Sequence, residues 1–536
     1  MLKFISIKSL ALIVLLLPNM AFAEKNLTIA DAKGDWGVLA PFLHSARGPG
    51  FVYTSFVFDS LIWKDANGQL QPLLAKTWRY NALSQCYEFE LHPKASWQDG
   101  QAVTAADVVF SFNYLKEHGY RFVDLSPISQ VTRITQQQDG NQQGEAVEVC
   151  MAEDYAPFLT NIAASLPIIP EHIYKGIKDP ISFSQQQATL GSGAYKMVEY
   201  NRAKGYYRLK AQANYHLGAP RYDEVRIVRM TPQAALGAMQ KGSVDAISLP
   251  HPMVSLYRDA GFKVLKKLSN HPVRLLFNHQ ALFSDKATRQ GLAYLIDRQA
   301  LVDIAYRGQA EVPRVGYRQN VIDELTASYA TDTSKAKSLL KASGWSLSKQ
   351  GKWLDKASQP LTLRLLANPS SELLARAVSS QLEQAGFAVT LRLEPDLQLV
   401  ERMEQGDFDL ALLSSSHEGD PDRFRLMLTG QQQRGDKFLD DKQLLAVLDK
   451  QQQELDTVKR DALLLQAEQL YNQQLPSFPL VNAMSFVAFN QKRVNLSFTE
   501  GGIAVGIPLA FNKMTLFLEP SAEVLESSAE LPVTKE

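Results

Sequence analysis

The chain alternates short segments of strand periodicity with longer segments of helical periodicity. In Cys86-Tyr-Glu-Phe-Glu-Leu91 the apolar side chains fall on every second position, which predicts a strand with one buried face. A turn at Asp99-Gly100 follows. Thr104 then begins a helix, because Asp107 three residues later can complete a capping box. This part of the sequence therefore predicts a strand, a turn and a helix, in that order.

Residues 239–247 and residues 403–411 share one pattern. Each copy ends a helical segment at a glycine and enters an apolar strand at an aspartate, which is Asp245 in the first copy and Asp409 in the second. Helices that alternate with short apolar strands predict parallel sheets. Elements of this kind also coincide by chance, so the repeat alone does not establish two similar units.

Each repeated strand is followed by a loop that contains a histidine. In open parallel sheets, ligands bind beyond the carboxyl ends of the strands. His251 follows the first strand and His417 follows the second, so both are candidates to line a cleft. A surface or loop-packing role is the alternative for each of them.

The amino terminus has the pattern of a secretory leader. Lys3 and Lys8 precede an apolar run at 10–17, and Ala21-Phe-Ala23 offers small residues to a signal peptidase. We therefore expect residues 1–23 to be a cleaved signal peptide. No cysteine follows the cleavage site to accept a lipid, which favours a soluble protein in the periplasm of a Gram-negative cell.

Charge and length narrow the class of protein. Of the 56 basic and 56 acidic residues, only two lysines lie in the predicted leader, so the mature chain is close to neutral. This balance argues against binding to nucleic acid, which needs concentrated basic charge. About 510 mature residues exceed what one core usually organises, and we expect two or three lobes.

Cys86 and Cys150 are the only cysteines, and both lie in segments with strand periodicity. The alternation puts each cysteine on the outer face of its strand, beside Glu88 and Glu148. Two outward cysteines in an oxidising compartment predict a disulfide across neighbouring antiparallel strands, with two free thiols as the alternative.

Sequence motifs of common enzymes are absent from the chain. It contains no HExxH, no CxxC pair, no G-x-S-x-G and no phosphate-binding G-x-x-x-x-G-K-[ST] loop. We therefore predict a binding protein and not an enzyme. A metal-dependent hydrolase that uses His44, His417 and Glu418 remains the enzymatic alternative, and an envelope chaperone or interaction protein is a third class.

Several segments together resemble the family 5 solute-binding proteins, the peptide and nickel receptors of bacterial ABC importers. The segment 87–115 carries the closest resemblance. Further matching segments are Pro167-Ile-Ile-Pro-Glu-His-Ile-Tyr174, Gly191-Ser-Gly-Ala-Tyr-Lys196, Leu276-Phe-Asn278 with 289–298, and 329–345. The resemblance implies an α/β, two-lobe periplasmic-binding-protein (Venus-flytrap) fold with an extra subdomain in the first lobe.

The resemblance also implies how the chain is divided. Val273 to Asn278 is the expected crossing into the second lobe, and the chain is expected to return near 480–489. The predicted divisions are a signal peptide at 1–23, lobe I at 24–267 with the extra subdomain at about 64–180, lobe II at 268–488, a return to lobe I at 489–518, and a disordered tail at 519–536.

In peptide-binding members, the loop that matches Ser414 to Phe424 carries an aspartate that pairs with the ligand's amino terminus. This chain keeps Gly419-Asp-Pro-Asp422 but has His417 at the matching position. A neutral imidazole cannot replace a carboxylate as the partner of an ammonium group, although Glu418 offers a substitute. The resemblance includes Asp420 among the ligand-binding candidates of this loop.

Nickel receptors of the family instead use cleft histidines to complete the coordination of a metal held by small chelators, and imidazole suits Ni(II). His44 and His417 are the candidate metal ligands. Arg47 can pair with a carboxylate through two hydrogen bonds, and Tyr53 is the aromatic residue expected nearest the ligand. No cofactor is expected apart from Ni(II) as part of a transported chelate.

The resemblance implies a monomer that closes around a peptide or a metal chelate and delivers it to an inner-membrane ABC permease. Which of the two ligands it binds stays open at this stage.

Overall fold

A computed structural model describes residues 25–44, 49–65, 69–119, 128, 130–138, 145–280, 282–317, 327–414, 420–428, 441–499 and 509–513. The predicted signal peptide (1–23) and the predicted tail (519–536) lie outside these residues. Within them, none of the helices combines the length and the apolar character needed to cross a membrane.

The described strands are β1 (Asn26–Asp31), β2 (Ile62–Lys64), β3 (Leu70–Pro72), β4 (Ala75–Asn81), β5 (Cys86–Leu91), β6 (Val131–Gln138), β7 (Glu145–Met151), β8 (Tyr195–Asn201), β9 (Tyr206–Ala211), β10 (Glu224–Arg229), β11 (Ala246–Leu249), β12 (Lys263–Leu268), β13 (Val273–Phe277), β14 (Ala310–Glu311), β15 (Ser346–Leu347), β16 (Trp353–Leu354), β17 (Thr362–Ala367), β18 (Ala388–Leu393), β19 (Leu410–Ser414) and β20 (Ser477–Phe489).

The described α-helices are α1 (Gly50–Thr54), α2 (Ala105–His118), α3 (Glu171–Tyr174), α4 (Pro232–Gln240), α5 (Val254–Asp259), α6 (Lys286–Ala293), α7 (Arg298–Tyr306), α8 (Thr333–Ala342), α9 (Glu372–Gln384), α10 (Asp396–Glu404), α11 (Asp422–Leu428), α12 (Lys442–Gln453) and α13 (Thr457–Gln474). A π-helical turn covers Phe158–Ala163.

The protein is an α/β protein with two lobes, which one mixed sheet connects. The strand order of this sheet is β18-β17-β19-β13-β20-β11-β1-β10-β9-β8. Lobe I contains the parallel neighbours β11, β1 and β10, and its core includes Leu27 and Ile227. Lobe II contains the parallel neighbours β18, β17 and β19, and its core includes Leu365 and Leu412. The residue limits predicted for the lobes stay predictions.

Strand β20 joins the two lobes through backbone hydrogen bonds. Its first part pairs with β13 of lobe II, and its last part pairs with β11 and β12. The second chain crossing, between β12 and β13, lies beside it. There the Ser269 amide donates to the carbonyl of Ala483, and the Ser269 hydroxyl donates to the side chain of Asn482, at 2.9 Å in both cases. The chain therefore passes between the lobes through two adjacent segments.

A separate sheet with the order β4-β5-β7-β6 forms a subdomain with its own apolar core, which includes Phe89 and Phe158. Helix α2 covers this sheet. Its predicted capping box is confirmed, because the Asp107 amide donates to the Thr104 hydroxyl and the Thr104 amide donates to the Asp107 carboxylate. Asp107 also accepts the Glu171 amide at 2.9 Å, which connects α2 to α3.

The segment Gly191-Ser-Gly193 fits tightly against the backbone of lobe I. A Cβ at position 191 would lie 1.9 Å from the carbonyl oxygen of Val57, and one at position 193 would lie 2.5 Å from that of Phe56. Only glycine permits this approach without a shift of the backbone. The motif is thus a packing element of lobe I.

The repeated pattern at 239–247 and 403–411 is confirmed as one local structure used twice. Gly242 and Gly406 end α4 and α10 with the same left-handed φ of 72°. Asp245 then accepts the amide of Thr28 at 2.7 Å, and Asp409 accepts the amide of Arg364 at 2.8 Å. In each lobe the aspartate side chain therefore binds the backbone of the neighbouring parallel strand.

Cys86 and Cys150 are opposite each other in the β5–β7 register and form a disulfide, as predicted. Neither cysteine belongs to the apolar core beneath this sheet, as expected for the outer face, yet the two are only 3% and 5% exposed. Nη2 of Arg133 on β6 lies 3.2 Å from Sγ of Cys150. Strand alternation gives the face of a side chain and does not show what covers that face.

We expect the double variant Cys86→Ser, Cys150→Ser to lose about 4 kcal/mol of unfolding free energy. The disulfide joins residues separated by 64 positions, and a loop of that length restricts the unfolded chain by about this amount in the chain-entropy model. Urea unfolding measures the change, and the reduced wild-type protein should match the variant. A loss below about 1 kcal/mol would contradict the expectation.

The environment of His279 leads us to expect a loss of stability in mild acid. It is buried, and its Nε2 lies 2.8 Å from the carbonyl oxygen of Pro476. Burial, with the charge of Arg289, lowers its pKa to about 4. Between pH 6.5 and pH 4 the unfolded chain thus binds a proton that the folded protein does not, so stability falls as pH falls through this range.

The expected contribution of His279 is a loss of about 2 kcal/mol between pH 7 and pH 5. Urea unfolding at both pH values measures it. His279→Gln should remove most of this loss, whereas His251→Gln, at a half-buried histidine elsewhere, should not. An unchanged pH dependence in His279→Gln would show that other groups are responsible.

Candidate functional site

The carboxyl ends of the parallel strands in both lobes point to the central part of β20. In lobe I, Leu249 at the end of β11 is opposite Phe486. In lobe II, Ser414 at the end of β19 is opposite Val273, which in turn pairs with Val481. The β20 residues at these two strand ends, Val481 and Phe486, are five positions apart, which corresponds to about 17 Å along the strand. The cleft expected beyond strand ends is therefore bordered by both lobes.

Asp31, the last residue of β1, organises the lobe I border of this cleft. Its carboxylate accepts the backbone amides of Lys33 and Gly34 at 2.9 and 2.7 Å, and the indole Nε1–H of Trp36 at 2.8 Å. The hydroxyl of Tyr53 adds a fourth bond at 3.3 Å. One carboxylate therefore fixes the turn after β1 and connects it to α1.

A second aspartate holds the other side of the same turn. Asp35 accepts the hydroxyl of Tyr200 at 2.7 Å and the amide of Gly37 at 3.1 Å, and it lies near Arg202. Burial acts to raise the pKa of Asp35, but the Tyr200 and Gly37 hydrogen bonds and the Arg202 charge outweigh it, so the pKa is lowered. The Asp35 carboxylate is thus ionised near neutral pH, beside the guanidinium of Arg202.

His44 and Tyr53 lie in the same part of lobe I. The backbone of His44 forms an isolated antiparallel β-bridge with that of Gly37. The His44 ring contacts the Phe51 ring edge to face, with the ring centroids 6.1 Å apart. Tyr53 is only 2% exposed, and burial together with Asp31 raises its pKa well above the ordinary value. The hydroxyl of Tyr53 therefore has a structural partner, and its predicted ligand contact stays a prediction.

His251 lies next to the crossing between the lobes. It begins the short turn after β11, and its ring centroid lies 5.8 Å from that of Phe486 on β20. The residue is half-buried. This position agrees with the prediction that the loop after β11 borders the cleft, while a ligand contact stays a prediction.

Asp420 is 2% exposed and bound within lobe II. Its two carboxylate oxygens accept Nη2 and Nη1 of Arg460 at 2.6 and 3.1 Å, and it also accepts the hydroxyl of Thr160 at 2.7 Å. Burial acts to raise the pKa of Asp420, but the charge and hydrogen bonds of Arg460 outweigh it and lower the pKa. Its observed partners are protein groups, and its predicted ligand contact stays a prediction.

The other three candidates, Arg47, His417 and Glu418, lie outside the described residues. Within the described part of the chain, one group of three metal-ligating side chains lies close enough to share an ion, namely Cys86, Glu148 and Cys150. Both cysteines of this group are in the disulfide. His44 is in no such group among these residues, so the proposed pair of metal ligands stays a prediction.

Sequence analysis missed Asp31 and Trp36, which shape the lobe I border. The signal was present, because Leu27-Thr-Ile-Ala30 is a short apolar run that ends at an aspartate before a glycine-containing turn. The same rule that selected the loops after Asp245 and Asp409 applies here. It also missed Thr160 and Arg460, whose partnership with Asp420 spans 260 and 40 positions and leaves no local pattern.

A family model of bacterial extracellular solute-binding proteins, family 5, matches residues 69–436, which is more than half of the chain. The chain belongs to this family. Because its members are solute-binding proteins, membership supports the prediction of a binding protein and not an enzyme.

Individual family 5 proteins are distant relatives. The oligopeptide-binding protein AppA of Bacillus subtilis is 25% identical over 371 residues, which cover 65% of this chain and 66% of AppA. The match thus spans about two thirds of that protein. The structure of AppA in complex with a nonapeptide covers 92% of this chain and 99% of AppA, at 21% identity and a TM-score of 0.71.

Two structures with bound metal complexes have the same fold. NikZ from Campylobacter jejuni, in complex with Ni(L-His), covers 91% of this chain and 98% of its own, at 20% identity and a TM-score of 0.72. NikA from Brucella suis, in complex with Fe(III)-EDTA, covers 92% and 100%, at 19% identity and a TM-score of 0.75. These likenesses confirm the two-lobe family 5 fold.

We expect Asp31→Ala to weaken both the lobe I turn and ligand binding. The change leaves two backbone amides and an indole N–H without their acceptor. The Lys33 amide is exposed and can bind water, whereas loss of the acceptor for the part-buried Gly34 amide and Trp36 indole costs about 1–3 kcal/mol. Urea unfolding measures the stability, and calorimetry measures affinity for a bound ligand. Tyr53→Phe removes only the longest of the four bonds and should change both quantities little. Equal effects of the two variants would show that Asp31 does not organise the turn.

Proposed function

We propose that this chain is the periplasmic substrate-binding protein of an ABC importer and captures a small peptide or a nickel chelate, such as nickel–histidine, between its two lobes. The observation that carries the proposal is the meeting of parallel-strand carboxyl ends from both lobes at the centre of β20. A ligand there touches both lobes at once. Binding then favours a closed state to the extent that the ligand has higher affinity for it.

Family membership and the relatives support the transport role. AppA is named an oligopeptide-binding protein, and NikZ was solved with a nickel–histidine complex. In this proposal the predicted signal peptide directs the chain to the periplasm. The mature protein acts as a monomer, and it releases its ligand to an inner-membrane permease.

Between the two ligand classes, the residues favour the chelate slightly. The loop after β19 has His417 where the resemblance expects an aspartate for a peptide amino terminus. A neutral imidazole binds Ni(II) but cannot neutralise an ammonium group. His44 is the second proposed nickel ligand, Arg47 a partner for a carboxylate, and His251 a further cleft residue. Nickel enters here as part of the transported ligand.

Titration calorimetry tests the proposal directly. The mature protein is titrated with Ni(II) plus free histidine and, separately, with a dipeptide and tripeptide mixture. We expect nickel–histidine to bind and the double variant His44→Ala, His417→Ala to bind it at least about tenfold more weakly, because each lost imidazole removes a metal ligand. His172→Ala, which removes a partner of Asp99 in the subdomain, is the control and should bind as the wild type does.

The possible outcomes test the metal ligands, the ligand class and the transport role separately. Nickel–histidine bound equally well by the double variant would contradict the assignment of His44 and His417. Peptide binding without nickel–histidine binding would assign the peptide class. Binding of neither would contradict the transport role.

A further inference from the structure

Away from the strand crossing, the subdomain touches lobe II through a second set of contacts. The segment is 153–160, which follows β7 and continues into the first half of the π-helical turn. The Thr160 hydroxyl donates to Asp420 at 2.7 Å, and the Ala156 amide donates to the carbonyl of Gln452 at 2.8 Å. Side chains of Glu153 and Gln453 also form a hydrogen bond. We call this set of contacts the subdomain–lobe II seam.

On both sides of the seam, the contacting segments also contribute residues to an apolar core. On the subdomain side, Tyr155 and Phe158 belong to the core beneath the four-stranded sheet. On the lobe II side, Phe424 and Val447, from α11 and α12, belong to a cluster with α13. The seam is therefore a contact between two packed units, and motion of one unit relative to the other must break it or form it.

The chemistry of the seam suits repeated opening. Asp420 is paired with Arg460 inside lobe II, so separation of the two units does not leave its charge alone. On separation, the Thr160 hydroxyl, the Ala156 amide and the Gln453 side-chain amide exchange a protein acceptor for water. The Tyr155 hydroxyl, which donates to the Asp422 carboxylate at 3.5 Å, does the same. Each such exchange has a small net cost. The seam can thus form and break without the large penalty of an unpaired buried charge.

A hydrogen bond connects the subdomain side of the seam to lobe I residues near the proposed cleft. The Ser165 hydroxyl donates to the carbonyl of Thr160 at 3.1 Å. Ser165 lines a cavity together with Phe51, Ser55 and Trp63, next to the α1 segment that carries Tyr53. On the lobe II side, Asp420 follows directly after the loop proposed to bind the ligand.

We propose that the seam restricts the receptor to compact ligands. In the closed protein, lobe I and lobe II meet at two separate places. One is β20 with the neighbouring chain crossing, and the other is the seam, so the ligand is enclosed between them. A long extended peptide that leaves the cleft between the subdomain and lobe II must keep the seam open and loses its contribution to closure. A metal chelate or a very short peptide fits inside and retains it. This inference rests on the proposed function and specifies its ligand class.

The test compares matched pairs of compact and extended ligands by titration calorimetry. One pair is a tripeptide and a nonapeptide of alanine and serine. The other is the Ni(II) complex of free histidine and the Ni(II) complex of a histidine-containing nonapeptide. We expect the wild-type protein to bind the compact member of the relevant pair at least about tenfold more tightly than the extended member.

The variant Thr160→Val tests whether the seam causes this restriction. Valine keeps the side-chain shape but lacks the hydroxyl that donates to the Asp420 carboxylate. We expect affinity for the compact ligand to fall about tenfold while affinity for the extended ligand changes less than about twofold. The ratio of the compact-ligand affinity to the extended-ligand affinity therefore decreases. Thr160→Ser keeps the hydroxyl and should keep the wild-type ratio. Thr77→Val is the control, since Thr77 bonds Glu90 on the exposed face of the same subdomain.

Each result decides the inference. An extended ligand bound as tightly as its compact partner overturns the restriction and leaves the proposed function intact. An unchanged ratio in Thr160→Val, or an equal change in Thr77→Val, overturns the role of the seam. A wild-type protein that binds no member of either pair overturns the proposed function together with this inference.

Discussion

The architecture depends on the backbone pairing of one long strand with both lobes. β20 supplies hydrogen-bond partners to β13 in lobe II and to β11 and β12 in lobe I, so the two cores are attached to the same ladder. A backbone ladder tolerates twist but not separation, because each unpaired amide and carbonyl loses a partner. Relative motion of the lobes is thus confined to bending near the middle of β20, close to the strand ends that border the cleft.

Three buried carboxylates of this protein each form an ion pair with a basic residue of the same lobe. Asp420 with Arg460, and Asp422 with Arg425, are ion pairs formed within lobe II, and Asp59 with Lys513 is one formed within lobe I. Burial raises the pKa of Asp422 even though Arg425 partly offsets it. None of these three pairs joins lobe I to lobe II, so opening of the cleft does not separate the charges within them. Receptors that cycle between states benefit from this arrangement, since splitting a buried pair is costly.

Periodicity predicted much of the fold and little of the site. The capping box at Thr104 and the twin Gly–Asp junctions follow from local patterns, and the structure has them. The partnership of Thr160 with Asp420 joins residues far apart in the chain, and no local pattern encodes such a contact.

The disulfide has a consequence for how the protein is obtained. The loop it closes contains helix α2, and β7 leads straight from Cys150 into the segment that meets lobe II. We expect production in a reducing cytosol to yield chains that lack this cross-link and unfold more readily. The free thiol content of each batch is therefore worth measuring before its stability or affinity is compared with that of another.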